Sequence, residues 1–256
     1  NYMHLLFKAW KDYFQRNKTH FTHINFNGVP ELSSTEKELV YASIQQFQRG
    51  ESSEGLHLLK IAKAYDPDYH EAIKIFIKEE QKHAGVLARF MKQERIPLIG
   101  GHWTDSAFRK LRKLLTIENT ITVLLTAEIV AAAYYRALHN ATQSVTLQAI
   151  CNQIISDEEM HINFQAYTLR NFYFKSSPVK RQAYRAYHQV LMFGTALLVW
   201  AYHAHIFKAG NYTFTTYLQF IAEEFTRARD MVTGYSAIVI RQEESHTALS
   251  SSPAIF

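Results

Sequence analysis

The sequence predicts an all-α protein built on a four-helix bundle, with additional helices before and after the bundle. Nine Gly and five Pro among 256 residues are few, which favours long helices over a turn-rich β fold. Apolar residues recur at the i, i+3, i+4, i+7 spacing of one helix face through most of the chain. Two such segments, around Glu80 and around Glu158, carry the same Glu-x-x-His motif. Together these observations place a polar site inside a helical core.

The boundaries of the helices follow from start and stop signals. Ser33 and Asp68 each precede a Glu by three residues, which is the pattern of a capping box and starts the first two bundle helices. Pro178 at a first helical position starts a helix after the bundle. We predict one helical domain over residues 1–256, with its bundle at about 33–172 and additional helices at about 3–16, 178–208 and 213–240. Within the bundle we predict helices at about 33–65 and 68–94, a crossover at 102–116, a third helix to about 138, a fourth at 144–172, and a disordered tail at 245–256.

The Glu-x-x-His motifs are more numerous than chance provides. With 17 Glu and 13 His in 256 positions, about one is expected, whereas the chain has four: Glu54/His57, Glu80/His83, Glu158/His161 and Glu243/His246. The second and third are 78 residues apart, and both lie on the apolar face of a helical pattern. A lone charge on such a face costs several kcal/mol of desolvation. A metal ion is the partner that neutralises Glu and His together.

Each of these two motifs has another Glu about thirty residues upstream. Glu51 precedes Glu80 by 29 residues, and Glu128 precedes Glu158 by 30. A turn signal lies halfway between the members of each pair, and residues equidistant from a hairpin turn meet at the same height on antiparallel helices. The spacing therefore predicts six metal ligands: Glu51, Glu80, His83, Glu128, Glu158 and His161.

The roles of four neighbouring residues remain open at this point. Glu54 is an alternative ligand on the same inner face as Glu51, although the 29 and 30 residue match favours Glu51. Asp157 and Glu79 each directly precede a ligand Glu and can accept a hydrogen bond from the other hairpin's His, unless they lie on a solvated face. Tyr135 lies two turns after Glu128, where either a redox role or core packing fits. No catalytic residue can be named.

The donor atoms indicate which metal the site would take. Carboxylate oxygen combined with imidazole nitrogen suits iron or manganese. Four carboxylates balance the four positive charges of two divalent ions, which makes a buried cluster tolerable. We expect two iron ions, with an iron–manganese pair or two manganese ions as alternatives. The interpretation without metal is two coincidental buried ion pairs.

Composition argues against several other classes. The net charge is +5 and the sequence pI is about 9.1, but the basic residues are scattered and their densest cluster, 109–113, is short, so we expect no nucleic-acid partner. The single Cys151 excludes an intramolecular disulfide and suits a reducing, cytoplasmic compartment. The apolar run 190–202 is shorter than the roughly 20 residues that a membrane span needs, and the run 120–138 has Glu128 at its centre. We therefore expect no transmembrane segment.

At these residues the chain resembles the ferritin-like di-iron carboxylate superfamily, whose four-helix bundles take a Glu from two helices and a Glu-x-x-His from the other two. Residues 79–85 (EEQKHAG) look like the second-helix motif of acyl-carrier-protein desaturases, and residues 157–164 (DEEMHINF) are similar to the last metal motif of aldehyde-deformylating oxygenases. Glu51 after a Gly, and Glu128 with the Ala-Ala-Ala-Tyr run after it, also resemble the oxygenases. The likeness covers about 50–165 and departs from the desaturases, which have longer chains and longer Glu-to-Glu separations.

The resemblance implies a ferritin-like fold and dioxygen chemistry. We expect a non-haem di-iron oxidase or oxygenase acting on an apolar organic substrate, with an electron-donor protein and a second copy of the chain as further partners. Two helices after the bundle and 35 aromatic residues suit the walls of an apolar pocket. The alternative is a ferroxidase or iron-handling protein without organic substrate, and a third class is a metal-stabilised interaction module.

Overall fold

The computed structural model describes residues 2–19, 21–52, 55–100 and 116–238, and the side chains of all of these except 2–6 and 19. Within these ranges every regular element is helical and there is no strand, which confirms the predicted all-α class. Glu54, the predicted crossover up to residue 115 and the predicted disordered tail lie outside the described residues. The described α-helices are α1 (Tyr2–Arg16), α2 (Ser34–Glu51), α3 (Leu56–Tyr65), α4 (Pro67–Gln93), α5 (Ile117–Ala141), α6 (Val145–Lys175), α7 (Pro178–Ala209) and α8 (Phe214–Thr233). A short 3₁₀ turn, Asn17–Thr19, follows α1.

Side-chain caps explain where the first bundle helices begin. Ser33 forms the predicted capping box with Glu36 at the start of α2. The predicted cap of α4 at Asp68 is wrong, because Asp66 accepts the backbone N–H of Tyr69 at 2.9 Å and caps the helix instead. Pro67 takes the first helical position, where its missing N–H costs nothing, so α4 begins two residues earlier than predicted.

The predicted continuous helix over 33–65 is also wrong, because the helix ends at Glu51 and a separate helix begins at Leu56. Helix α3 begins at Leu56 after Gly55, whose φ of +61° lies in the left-handed region. A Cβ at Gly55 would lie 2.4 Å from Cδ1 of Ile77 on α4, so glycine alone meets both the backbone angle and the close approach. The break leaves Glu51 in the last turn of α2.

The remaining helix ends differ from the predictions by a few residues. Helix α5 continues to Ala141 and α6 to Lys175, each three residues beyond the predicted end. Helix α8 ends at Thr233 rather than near residue 240, because Gly234 adopts a left-handed φ of +85° and terminates it. The predicted bounds of α7 agree with the structure to within one residue.

Four helices surround the centre of the molecule. Helix α4 packs against α2 and α3, α5 packs against α6, and α4 contacts α6 across the middle. Helix α1 lies on α4 and places Trp10 and Phe14 against Phe164 of α6. Helices α7 and α8 cover α5 and α6 from the other side. The centre is therefore enclosed by helices on several sides.

Two of the described helices are long and apolar enough to cross a membrane by length and composition alone. The apolar window of α5 is 72% buried, as in the core helix of a soluble protein, whereas that of α7 is only 28% buried. The apolar run at 190–202 thus belongs to a longer apolar helix than the sequence indicated. Because length and composition alone are weak grounds, the absence of a transmembrane segment stays a prediction.

Candidate metal centre

The structure brings together the six residues that the spacing predicted as ligands. They form two groups of four, and within each group one ligand atom per residue lies within 4.8 Å of all the others. Glu80 and Glu158 belong to both groups, so these two carboxylates stand between two candidate ion positions. The first group consists of Glu51, Glu80, His83 and Glu158. The second group consists of Glu80, Glu128, Glu158 and His161.

Helix geometry explains why these side chains converge. The i, i+3 spacing puts Glu80 with His83, and Glu158 with His161, on one face of α4 and of α6. The last turn of α2 supplies Glu51, and the middle of α5 supplies Glu128. Four helices therefore each present a carboxylate to one centre, and two of them add an imidazole.

The centre is buried. The side chains of His83, Glu158 and His161 have no exposed surface, and Glu128 retains 5%. Glu80 retains 17% of its side-chain surface, which makes it the most exposed of the six. Among the six residues, Glu80 therefore lies nearest to solvent.

His83 is held with one ring nitrogen facing the centre. Its Nε2 lies 3.0 Å from Oδ2 of Asp157, in hydrogen-bonding geometry. Its Nδ1 lies 3.6 Å from Glu80 Oε1 and 3.7 Å from Glu158 Oε1. A carboxylate behind a ligand histidine fixes the ring and raises its basicity as a ligand.

His161 has the same orientation with the two hairpins exchanged. Its Nε2 lies 3.5 Å from Oε2 of Glu79, and its Nδ1 lies 3.0 Å from Glu80 Oε1. The same Nδ1 is 3.6 Å from Glu158 Oε2 and 3.9 Å from Glu128 Oε2. Asp157 and Glu79 therefore each stand behind the histidine of the opposite hairpin, so neither lies on a solvated face.

The donor atoms at the centre fit metal ions better than they fit one another. Both carboxylate oxygens of Glu158 have no hydrogen-bond partner within the described part of the chain, and the closest contact at the centre is that of Glu80 Oε1 with His161 Nδ1, at 3.0 Å. Buried polar groups are otherwise nearly always hydrogen-bonded, because an unpaired one costs about 1–3 kcal/mol. Carboxylate and imidazole donors that converge without such bonds are arranged as ligands of a cation.

In the metal-free protein, several of these groups hold protons that a metal would displace. Burial and the charge of Glu80 raise the pKa of Glu51 to about 8, and burial and Glu128 raise the pKa of Glu158 well above its usual value. Burial lowers the pKa of His83, but the hydrogen bond to Asp157 and the charge of Glu80 outweigh it and raise that pKa to about 9. Burial would likewise raise the pKa of Glu80, but the charge and hydrogen bond of His161 outweigh it and lower that pKa.

Metal affinity should therefore increase with pH. Below pH 8 both Glu51 and His83 carry protons, because their pKa values are about 8 and about 9, and both protons must leave when a metal binds. We expect the logarithm of the apparent association constant for Mn²⁺ to rise by at least about one per pH unit between pH 6 and 8. Titration against a competing chelator measures it. An affinity that is independent of pH would show that these groups do not release protons on binding.

Tyr135 contacts a predicted ligand directly. Its hydroxyl donates a hydrogen bond of 2.7 Å to Oε1 of Glu51, and its ring is buried against Tyr134 and Phe47. Burial and the charge of Glu51 raise the pKa of Tyr135 well above its usual value, so it remains a donor at any physiological pH. The residue thus combines core packing with a bond that orients Glu51.

Sequence reasoning missed Asn17, which joins the two carboxylates behind the histidines. Its Nδ2 donates to Oε1 of Glu79 and, at 3.1 Å, to Oδ1 of Asp157. Gln153 adds a second donor to Asp157 at 2.9 Å. An asparagine after a short amphipathic helix carries no periodic signal, and it is 62 and 140 residues from its partners in sequence.

Gln165 is a second buried residue that the sequence did not single out. It follows His161 by four residues on α6 and therefore lies on the same helix face. The side chain has no exposed surface, and neither its amide nitrogen nor its amide oxygen has a hydrogen-bond partner among the described residues. A polar group beside the centre is thus left with its donor and acceptor unused by the protein.

Gln165→Met should stabilise the protein. Methionine fills nearly the same volume without a buried amide, so we expect the free energy of unfolding to rise by about 1–3 kcal/mol. Gln219→Met, at an exposed position of α8, is the matched control and should change it by less than about 0.5 kcal/mol. Chemical denaturation measures both. A loss of stability in Gln165→Met would mean that the amide has a partner in the folded protein.

A scan against protein-family models, a search of curated proteins and a search of solved structures each found no match to this chain. Its functional assignment therefore rests on the geometry of the centre.

Proposed function

We propose that this protein binds two iron ions, or an iron–manganese or manganese pair, and uses them to activate dioxygen for the oxidation of an apolar organic substrate. A ferritin-like arrangement of α2, α4, α5 and α6 belongs to the same proposal. The observation that carries it is the pair of overlapping ligand groups that share Glu80 and Glu158. A single ion would need only one of these groups.

The charge and type of the donors favour these ions. Four carboxylates balance the four positive charges of two divalent ions, so the occupied centre would be close to neutral inside the protein. Oxygen donors with two imidazole nitrogens and no thiolate suit iron and manganese, and the only cysteine, Cys151, is not in either group. A pair of reduced iron ions supplies electrons to dioxygen when it is bound.

The chain's own residues would orient the ligands and keep water out. Asp157 and Glu79 hold the Nε2 sides of the two histidines, which leaves each Nδ1 turned toward the centre. Tyr135 fixes one oxygen of Glu51 by its hydrogen bond. Phe76 and Phe14 pack on the ring of His161, at centroid distances of 4.8 and 6.1 Å, and shield it from solvent.

An organic substrate would find a polar contact at Gln165. Its unpaired amide lies on the face of α6 that carries His161, inside the protein. A substrate with an apolar body and one neutral polar group would satisfy that amide while burying its chain. The exposed fraction of Glu80 favours the second candidate, a ferroxidase, because it places this residue nearest to the solvent from which a metal ion would come.

Oxygen consumption distinguishes the two candidates. The reduced iron-loaded protein would be exposed to air with and without saturated fatty aldehydes and fatty alcohols of 8 to 16 carbons, supplied with an electron donor. The proposal expects consumption that depends on the organic compound and an oxidised product by mass spectrometry. Glu158→Ala is the inactive variant, and Glu223→Ala, an exposed residue of α8, is the control. Repeated oxidation of added Fe²⁺ to a ferric mineral, unaffected by any organic compound, would establish the ferroxidase instead.

A further inference from the structure

Helix α7 exposes an apolar stripe. The stripe consists of Ala183, Tyr187, Val190, Gly194, Leu197 and Ala201, together with the neighbouring Leu198 and Tyr202. Val190 is 75% exposed, Leu197 is 51% exposed and Tyr202 is 50% exposed. The opposite face of α7 is buried, through Met192, Ala196 and His203. No described helix covers the outer face.

The spacing of this stripe is that of a helix–helix seam. Its first six residues follow one another at intervals of four, three, four, three and four, which is the 3.5-residue period of a coiled coil. Small residues stand at both ends and in the middle of the stripe (Ala183, Gly194 and Ala201), and larger ones lie between them. Between Arg185 and the kink of α7 at His203 the chain has no charged residue over about 26 Å of helix. A second helix can therefore lie along it without burying a charge.

Gly194 lies at the middle of the stripe, where the absence of a side chain leaves room for a close neighbour. A glycine inside a helix is less favourable than an alanine, because glycine loses more conformational freedom on folding. A Cβ built at Gly194 would meet nothing within 4 Å in the described chain, so its own fold does not require a glycine there. A second backbone that approaches at this position would require one.

We propose that this stripe is the interface of a homodimer, in which two copies of α7 pack antiparallel about a two-fold axis near Gly194. The two glycines then face each other, Tyr187 of one copy lies over Ala201 of the other, and Val190 lies against Leu197 and Leu198 of the other. Large residues thus meet small ones at each end of the seam. The proposal is independent of the metal centre.

The available area fits a weak dimer. The exposed parts of Tyr187, Val190, Leu197, Leu198 and Tyr202 come to roughly 500 Å² per copy, or about 1,000 Å² for the pair, which reaches the lower bound for a specific interface. A lipid surface fits the stripe less well. Helices that lie on membranes carry Lys and Arg along their length beside the apolar face, whereas α7 has these residues only at the two ends of the apolar run, at Arg185 and Lys208.

Sedimentation velocity of the full chain from 1 to 100 µM tests the association. We expect a dimer for the wild type and at least a tenfold weaker association for Gly194→Leu and Leu197→Glu. Val145→Glu, at an equally exposed apolar residue of α6, should leave the dimer unchanged. Circular dichroism of each variant checks that it is folded.

Cysteine cross-linking tests the two-fold geometry. Gly194→Cys should form a disulfide-linked dimer on oxidation, because a residue on the axis meets its own copy, whereas Val145→Cys should not. The native Cys151 is buried and does not interfere. A wild type that is monomeric at 100 µM would overturn the proposal. So would a monomer that co-sediments with vesicles of phosphatidylcholine and phosphatidylglycerol, because the stripe would then be a lipid-binding face.

Discussion

We expect Glu158→Ala to lose both metal ions and Glu128→Ala to lose one of the two. Glu158 belongs to both ligand groups, whereas Glu128 belongs to one. Removal of Glu158 takes a donor from each position and leaves Glu80 as the one carboxylate that both groups share. Removal of Glu128 leaves Glu51, Glu80, His83 and Glu158 in place around the other position.

Elemental analysis after reconstitution with Fe²⁺ under anaerobic conditions measures this difference. The wild type should hold about two ions per chain, as in two-metal sites generally. Glu128→Ala should hold about one, and Glu158→Ala fewer than about half an ion. Glu223→Ala controls for the loss of a surface carboxylate and should match the wild type. Equal metal content in Glu128→Ala and Glu158→Ala would contradict the shared role of Glu158.

Asn17→Asp should disrupt the centre, although the substitution changes only one group of the side chain. The change replaces the amide that donates to Glu79 and Asp157 with a third carboxyl group beside them. We expect metal affinity to fall about 10–100-fold, because the carboxylates that orient His83 and His161 lose their common donor. Asn140→Asp, at an exposed position, adds the same charge elsewhere and should have little effect.

The pH dependence of the metal-free variant separates this effect from a general loss of packing. Two neighbouring carboxylates raise the folded-state pKa of the new carboxyl above its unfolded value. The folded state therefore keeps that proton longer, so the destabilisation is smallest at pH 5 and grows as the pH rises to 8. Asn17→Ala removes the donor without adding a charge and should show no such growth. Parallel profiles for the two variants would contradict the role of Asn17 between two carboxylates.

The six candidate ligands could be predicted because the regular geometry of a helix fixes the position and the face of each residue along it. A separation of 29 or 30 residues with a turn at its middle leaves little freedom in where the two ends meet, and the i, i+3 spacing settles the face. The end of α2 at Glu51 could not be predicted from sequence spacing. It depends on the contact of Gly55 with Ile77, which lies on another helix.

Asn17 and Gln165 could not be predicted, for two different reasons. Asn17 reaches the centre only because α1 packs across α4, and nothing in residues 1–20 indicates that contact. Gln165 lies on the predicted inner face of α6, but its significance comes from having no partner there, which a sequence does not show. Long-range packing decides both cases, whereas the six ligands follow from local spacing.

Anomalous diffraction at the iron edge, from crystals of the iron-loaded protein, tests the central claim most directly. The account predicts two peaks about 3.5–4 Å apart, both within bonding distance of Glu80 and Glu158, with His83 Nδ1 on one and His161 Nδ1 on the other. A single peak, or metal bound away from Glu80 and Glu158, would contradict the two-ion centre.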